Sequence, residues 1–216
     1  MWTKPEKPDY IDVKGLQLVR RDNAPIVKKV SQAILDAIMY GQSTENALKA
    51  ARESVMQVIS GNEPIESFVT TKALRGSYVN PEAQPHVVVA RKIKERTGES
   101  VVSGERVPFV FVVDNHIDSA KISQRAEDPA YVVEHNLPID VLYYLDNQLM
   151  SPIKALLEVL VADPAKTVLE TPEIASVLES LRETRKDLVR GVKRVNTNAK
   201  NRQHAITNFF SVSSNA

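Results

Sequence analysis

The sequence predicts a mainly α fold with a small β element. Three observations carry that expectation. Several segments repeat apolar residues at helical spacing behind a capping residue or a proline. Single glycines close most of these segments, and one run alone has the β-branched and aromatic character of a strand.

Along the chain, "MWTKPEKPDYIDVKGLQLVRRD" is broken early by prolines and then alternates, which reads as an extended arm. "NAPIVKKVSQAILDAIMYG" is a helix with Asn23 as a possible cap and Pro25 in its first turn. Its apolar face is Ile26, Val30, Ile34, Ala37 and Ile38, and Gly41 is its stop. "STENALKAARESVMQVISG" is a second helix, capped by Ser43 or Thr44, with Leu48, Ala51, Val55 and Ile59 on one face and Gly61 as stop. The two should form an antiparallel pair. "EPIESFVTTKALRGSYVNPEAQ" lacks a helical period and reads as short extended pieces and loop. "PHVVVARKIKERTG" returns to helix, with Val89, Ala90 and Ile93 inward, Arg91, Lys92, Lys94 and Arg96 outward, and Gly98 at its end. "RVPFVFVVD" is the strand. Glu127 and Asp128 before Pro129 look like a cap. "PAYVVEHN", "PIDVLYYLDNQLM" and "SPIKALLEVLV" are further helices, each punctuated by proline. "TPEIASVLESLRETRKDLVRGVKR" is a last helix, capped by Thr171 and basic in its second half.

Composition bounds the chemistry. The chain has 216 residues, 43% hydrophobic and 25% charged, and no cysteine. That excludes disulfides, thiolate zinc sites and cysteine nucleophiles. No apolar run approaches the ~20 residues of a membrane span, and the start is no signal peptide, so no membrane partner and an intracellular location are expected. The net charge of +1 hides an asymmetry, because Arg182 to Arg202 holds eight Lys/Arg against Glu183 and Asp187. Such a run is either a solvated helix face or a patch for a polyanion.

The seven glycines stand singly, so no phosphate loop is present, and His86, His116, His135 and His204 are too scattered to suggest zinc. No nucleophile elbow or pair of strand-borne carboxylates is visible. Neither a catalytic nor a metal-ligating residue is assigned.

A wider pattern emerges from separated motifs. Lys14, Gly15, Val19, Arg20, Arg21, Asp22 and Asn23 match a K-G-x-x-x-V-R-R-D-N signature. In order follow Thr71-Lys72, Gln84, His86 and Ala90, then "GERVPFV" from Gly104 to Val110. Next come Asp128-Pro129, Pro138-Ile139-Asp140, Tyr143-Tyr144, Gln148 and Pro152. Between Trp2 and Leu160 the chain resembles the family B DNA polymerases, of the delta and large-DNA-virus type. The resemblance implies a family B polymerase thumb, with a palm–thumb junction arm over 1–24 and the thumb over 25–162; charge and composition add a basic helical linker over 163–200 and a flexible tail over 201–216.

By that resemblance the chain is part of a DNA-directed DNA polymerase, a nucleotidyltransferase whose catalytic aspartates and Mg2+ belong to a palm outside this sequence. No cofactor is expected on the chain itself. Its partners would be primer–template DNA, the palm, fingers and exonuclease portions in the same chain or a split subunit, and a sliding clamp. Its place would be the nucleus or a viral replication site, or the cytoplasm for an archaeal-like protein. A thumb holds phosphates with cations and does not read sequence. Lys14, Arg20 and Arg21 are the first candidates for that role. Lys72, Arg75, Gln84, His86, Arg91 and Lys92 follow, with Arg106 in the "RVP" segment. Tyr143 and Tyr144 are read as structural. Two alternatives stay open: a stand-alone, non-catalytic DNA-binding or clamp-associated subunit, and a helical scaffold with coincidental motifs.

Near the end, "QHAITNFF" places Gln203, Ile206, Phe209 and Phe210 in the pattern Q-x-x-(I/L/M)-x-x-F-F. The pattern resembles the peptide by which replication proteins bind the PCNA-type sliding clamp. One short helical turn would bring Ile206 and both phenyl rings to one side as an apolar plug, and the Gln amide would add a directional contact.

Overall fold

The computed structural model describes residues 23–41, 43–113 and 122–189. The arm with Lys14, Arg20 and Arg21, and the tail with Gln203, Ile206, Phe209 and Phe210, lie outside these described residues. Helices α1 (Pro25–Tyr40) and α2 (Thr44–Ile59) form the antiparallel pair. Ala24, not Asn23, is the N-cap of α1, with no side-chain cap bond. Preceding Pro25 holds Ala24 extended, and its N–H goes instead to Gln148 Oε1 at 3.2 Å. Ser43 caps α2, its hydroxyl accepting the Asn46 N–H at 3.1 Å.

Strands β1 (Thr70–Ala73), β2 (Arg106–Phe111) and β3 (Ala126–Glu127) form an antiparallel sheet in that order. Thr70 faces Phe109, Lys72 faces Val107 and Ala73 faces Arg106. The sequence showed the central strand clearly, whereas its two partners are too short and polar to show a period. Helix α3 (Pro85–Thr97) packs on β2 and β3. It ends at Gly98, whose φ of +77° is the left-handed conformation glycine adopts without strain.

After α4 (Pro129–Glu134), capped by Asp128, come α5 (Val141–Tyr144) and α6 (Met150–Leu157). The proline at 152 does not separate two helices as expected. Helix runs on from 141 to 157 through a π turn at Leu145–Leu149, where the Met150 N–H reaches Leu145 O. The wider turn shifts the hydrogen-bond register just before Pro152, which has no N–H to give.

Helices α7 (Pro164–Leu169) and α8 (Pro172–Val189) complete the described chain. The segment read as a linker begins as part of the body: Val168, Ile174 and Leu178 are buried in the same core as α1 and α2. Of the basic run, Arg185 turns inward to the buried Asp140 at 2.9 Å, beside Arg125, and Lys186 pairs with Glu183. Tyr144 joins helices to sheet. Its hydroxyl donates to Phe68 O at 2.9 Å and accepts the Phe111 N–H at 3.0 Å. The structural role read for this tyrosine is the one it has.

Candidate nucleic-acid interface

Five of the predicted DNA-binding residues meet in one place. Lys72, Arg75, Gln84, His86 and Arg106, with Thr71, Ala73 and Tyr78, line an open hollow of about 490 Å³. Three short segments of the chain build it. Strand β1 supplies Lys72, the turn after it supplies Arg75 and Tyr78, and the first residue of β2 supplies Arg106, directly across from Ala73. The amino end of α3 brings Gln84 and His86. A helix amino terminus carries partial positive charge, so it adds to the sign of the three cations.

Each element has a local reason to be there. The β1–β2 ladder fixes Lys72 and Arg106 on adjoining strands. Arg106 is held flat along β1, with Nε donating to Thr71 Oγ1 at 3.0 Å and Nη2 to Thr71 O at 2.5 Å. The turn bearing Arg75 closes on Tyr78, whose hydroxyl oxygen accepts the Arg75 backbone N–H at 2.7 Å. That oxygen also lies 2.8 Å from His86 Nε2. Among the described residues, Lys72, Arg75 and Arg106 form no ion pair with any acid. Their charge has no counter-ion among the described residues.

His86 is buried. Burial first, then the charges of Lys72 and Arg75, lower its pKa from the usual 6.5, so the imidazole is neutral in the unliganded protein at neutral pH.

Arg91 and Lys92 lie elsewhere on α3 and are occupied. Arg91 pairs with Glu82 and lies 3.8 Å from Glu95. Lys92, expected to face outward, turns in: its amine donates to Gln124 O at 3.0 Å and Ala126 O at 2.8 Å and lies 3.2 Å from Glu127. Arg96 does the same, with a fork onto Glu127. The reason is Glu127 itself, a buried carboxylate that needs cations beside it. Asp128 is the cap that the sequence suggested, whereas Glu127 is an ion-pair centre.

Tyr78 and Thr71 are the contributors that site reasoning from sequence missed. Tyr78 sits in an aperiodic stretch that gives no local signal of a pairing with His86. Among the described residues no group of three or more His, Asp or Glu could hold a metal ion, and no helix is long and apolar enough to cross a membrane.

Comparison with known proteins extends these observations. Residues 1–160 match the model of the family described as DNA polymerase family B. A DNA polymerase of Paramecium bursaria Chlorella virus NY2A is 41% identical over 206 residues, which is 95% of this chain and 22% of that protein. The DNA polymerase delta catalytic subunit of Caenorhabditis elegans is 34% identical over 184 residues, 83% of this chain and 17% of its own length. Among solved structures, the family B DNA polymerase from the archaeon Pyrobaculum calidifontis aligns with a TM-score of 0.54 and 25% identity, over 66% of this chain and 18% of that one. The chain thus spans about a fifth of the length of these relatives.

Proposed function

Because the chain belongs to DNA polymerase family B, we propose that it is the thumb portion of a replicative DNA-directed DNA polymerase and grips primer–template duplex by its backbone. The observation that carries this is the hollow at the amino end of α3. Three cations with no counter-ion among the described residues, a glutamine amide and a helix amino terminus converge on a single concave surface. Such a surface holds phosphates through charge and donors without reading bases. Lys72, Arg75 and Arg106 supply charge, and Gln84 supplies a directional amide. Lys14, Arg20 and Arg21 would extend the grip along the arm.

Nucleotidyl transfer itself would lie in the palm, where Mg2+ and the catalytic aspartates belong. Gln203, Ile206, Phe209 and Phe210 would tether the enzyme to a PCNA-type clamp at a nuclear or viral replication site.

The test is the salt dependence of duplex binding by the chain and by a Lys72→Ala, Arg75→Ala, Arg106→Ala variant. For every phosphate the variant no longer neutralises, the slope of log affinity against log salt should become shallower by about 0.9. Affinity should fall equally for unrelated duplex sequences. An unchanged slope would overturn the assignment of the hollow.

A further inference from the structure

Backbone gripping by cations leaves one buried group of the hollow without a task. His86 is 3% exposed, stands in the first turn of α3 and lines the hollow. Its Nδ1 is buried and has no hydrogen-bond partner. Its other nitrogen meets Tyr78 Oη, the same oxygen that accepts the Arg75 N–H. The two rings cross edge-on at 5.4 Å and 72°. One hydroxyl therefore ties the imidazole to the backbone of the turn that presents Arg75.

That hydroxyl has a single proton and two arrangements. With Nε2 bare, Tyr78 donates to the imidazole. With the imidazole doubly protonated, Nε2–H donates to Oη and the hydroxyl proton turns toward Ala73 O, 3.4 Å away. Both arrangements keep the bond to the Arg75 N–H. The geometry accepts either protonation state, so burial and local charge decide between them.

In the free protein the charges that face the ring from the described residues oppose the proton. Lys72 acts from β1 and Arg75 from the turn after it, while Arg106 of β2 lines the same hollow. The α3 amino terminus is positive as well. The acids on the other elements packed against α3, Glu82 and Glu127, are held by Arg91 and by Lys92 with Arg96. A phosphate diester seated in the hollow would weaken this opposition, because its negative charge offsets part of the field of the cations at the ring and favours the imidazolium.

We propose that the grip on DNA is proton-linked: a backbone phosphate entering among Lys72, Arg75 and Arg106 draws one solvent proton onto His86, with Tyr78 conveying the change to the Arg75 turn. The inference rests on the hollow being a phosphate site. Binding takes up the proton and release returns it, with no bond made to the DNA. One linked proton changes affinity by at most about tenfold per pH unit.

The experiment is titration of the full chain with a mixed-sequence duplex between about pH 6 and pH 8, a window that brackets the ordinary imidazole range, at fixed ionic strength. His86→Asn is measured alongside, and calorimetry of the unaltered chain in buffers of different ionisation enthalpy counts protons directly. The expected result is binding that tightens several-fold toward low pH, uptake of up to one proton, and a flat profile for His86→Asn. Should that variant misfold, the proton count on the unaltered chain decides. Duplex binding with no proton uptake overturns the linkage and leaves the phosphate grip standing. Absence of duplex binding at every pH overturns both.

Discussion

Arg96 grips Glu127 through two parallel hydrogen bonds, Nη1 to Oε1 at 2.8 Å and Nη2 to Oε2 at 2.9 Å. The carboxylate also accepts the Asp128 N–H at 2.9 Å. The other face of the guanidinium is used too, since it lies 3.5 Å from the centre of the Tyr131 ring, and that ring stacks on His135 at 3.7 Å. Replacing Arg96 with Ala leaves Lys92 as the one counter-ion of a buried charge among the described residues. Breaking a buried pair by removing one partner is costly, although the half-buried position of Arg96 screens part of it. The expected loss is about 2–3 kcal/mol in chemical denaturation. A loss below about 0.5 kcal/mol, the range of an exposed pair, would show that the fork is incidental.

Acidification should destabilise the protein in two steps. The folded state holds the His86 pKa below 6.5, so the unfolded chain binds that proton more readily, and stability falls once the pH drops below about 6.5. Glu127 acts at lower pH. Burial alone would raise its pKa, but the Arg96 hydrogen bonds, the Asp128 N–H and the charges of Lys92 and Arg96 together bring it below 4.5. Its contribution is complete above that value and is lost as the pH falls toward the folded pKa. Denaturation midpoints measured across this range should fall in both windows for the unaltered chain. His86→Asn should abolish the upper step and spare the lower one.

Most helices were legible in the sequence because they had punctuation, whereas the short α7 was not read as a separate helix. Ser43, Asp128 and Gly98 are caps whose chemistry works locally, without help from the rest of the fold. What stayed hidden depends on distant partners. The inward turn of Lys92 and Arg96 follows from Glu127, some thirty residues away, and β1 exists because β2 pairs with it. The hollow divides in the same way. Its cations could be picked out singly, but their convergence needs the β1–β2 register, and Tyr78 had no local signal.

Tyr144→Phe tests the join between sheet and helices. The hydroxyl satisfies Phe68 O and the Phe111 N–H within the core, and burial drives the phenol's pKa far above 10. Removing one oxygen strands a buried acceptor and a buried donor together. Each unsatisfied group costs about 1–3 kcal/mol, so a total of about 2–6 kcal/mol is expected in urea or thermal denaturation. A neutral effect would mean that water enters to replace the hydroxyl.

Charge position, not charge number, should govern DNA binding. Arg91→Ala and Arg75→Ala each remove one cation from the same region. Arg91 is engaged with Glu82, whereas Arg75 faces the hollow with no acidic partner among the described residues. Only Arg75→Ala should weaken duplex affinity and reduce the salt slope, by about 0.9 for one phosphate. Equal effects in both variants would point to a diffuse field instead of a built site.

The last expectation concerns the tail. If Phe209 and Phe210 plug an apolar pocket on a sliding clamp, their replacement by Ala removes two aromatic anchors that together dominate a short peptide's affinity. A tether acts through effective concentration: a weak hold on a ring around DNA returns dissociated enzyme to the same primer end. The whole polymerase carrying Phe209→Ala and Phe210→Ala should therefore make shorter products in the presence of its clamp. Addition of a single nucleotide without the clamp should be unchanged, because a tail that acts only as a tether takes no part in the chemistry. Equal loss in both assays would place these rings in the body of the enzyme, and unchanged product length would remove the clamp from the account.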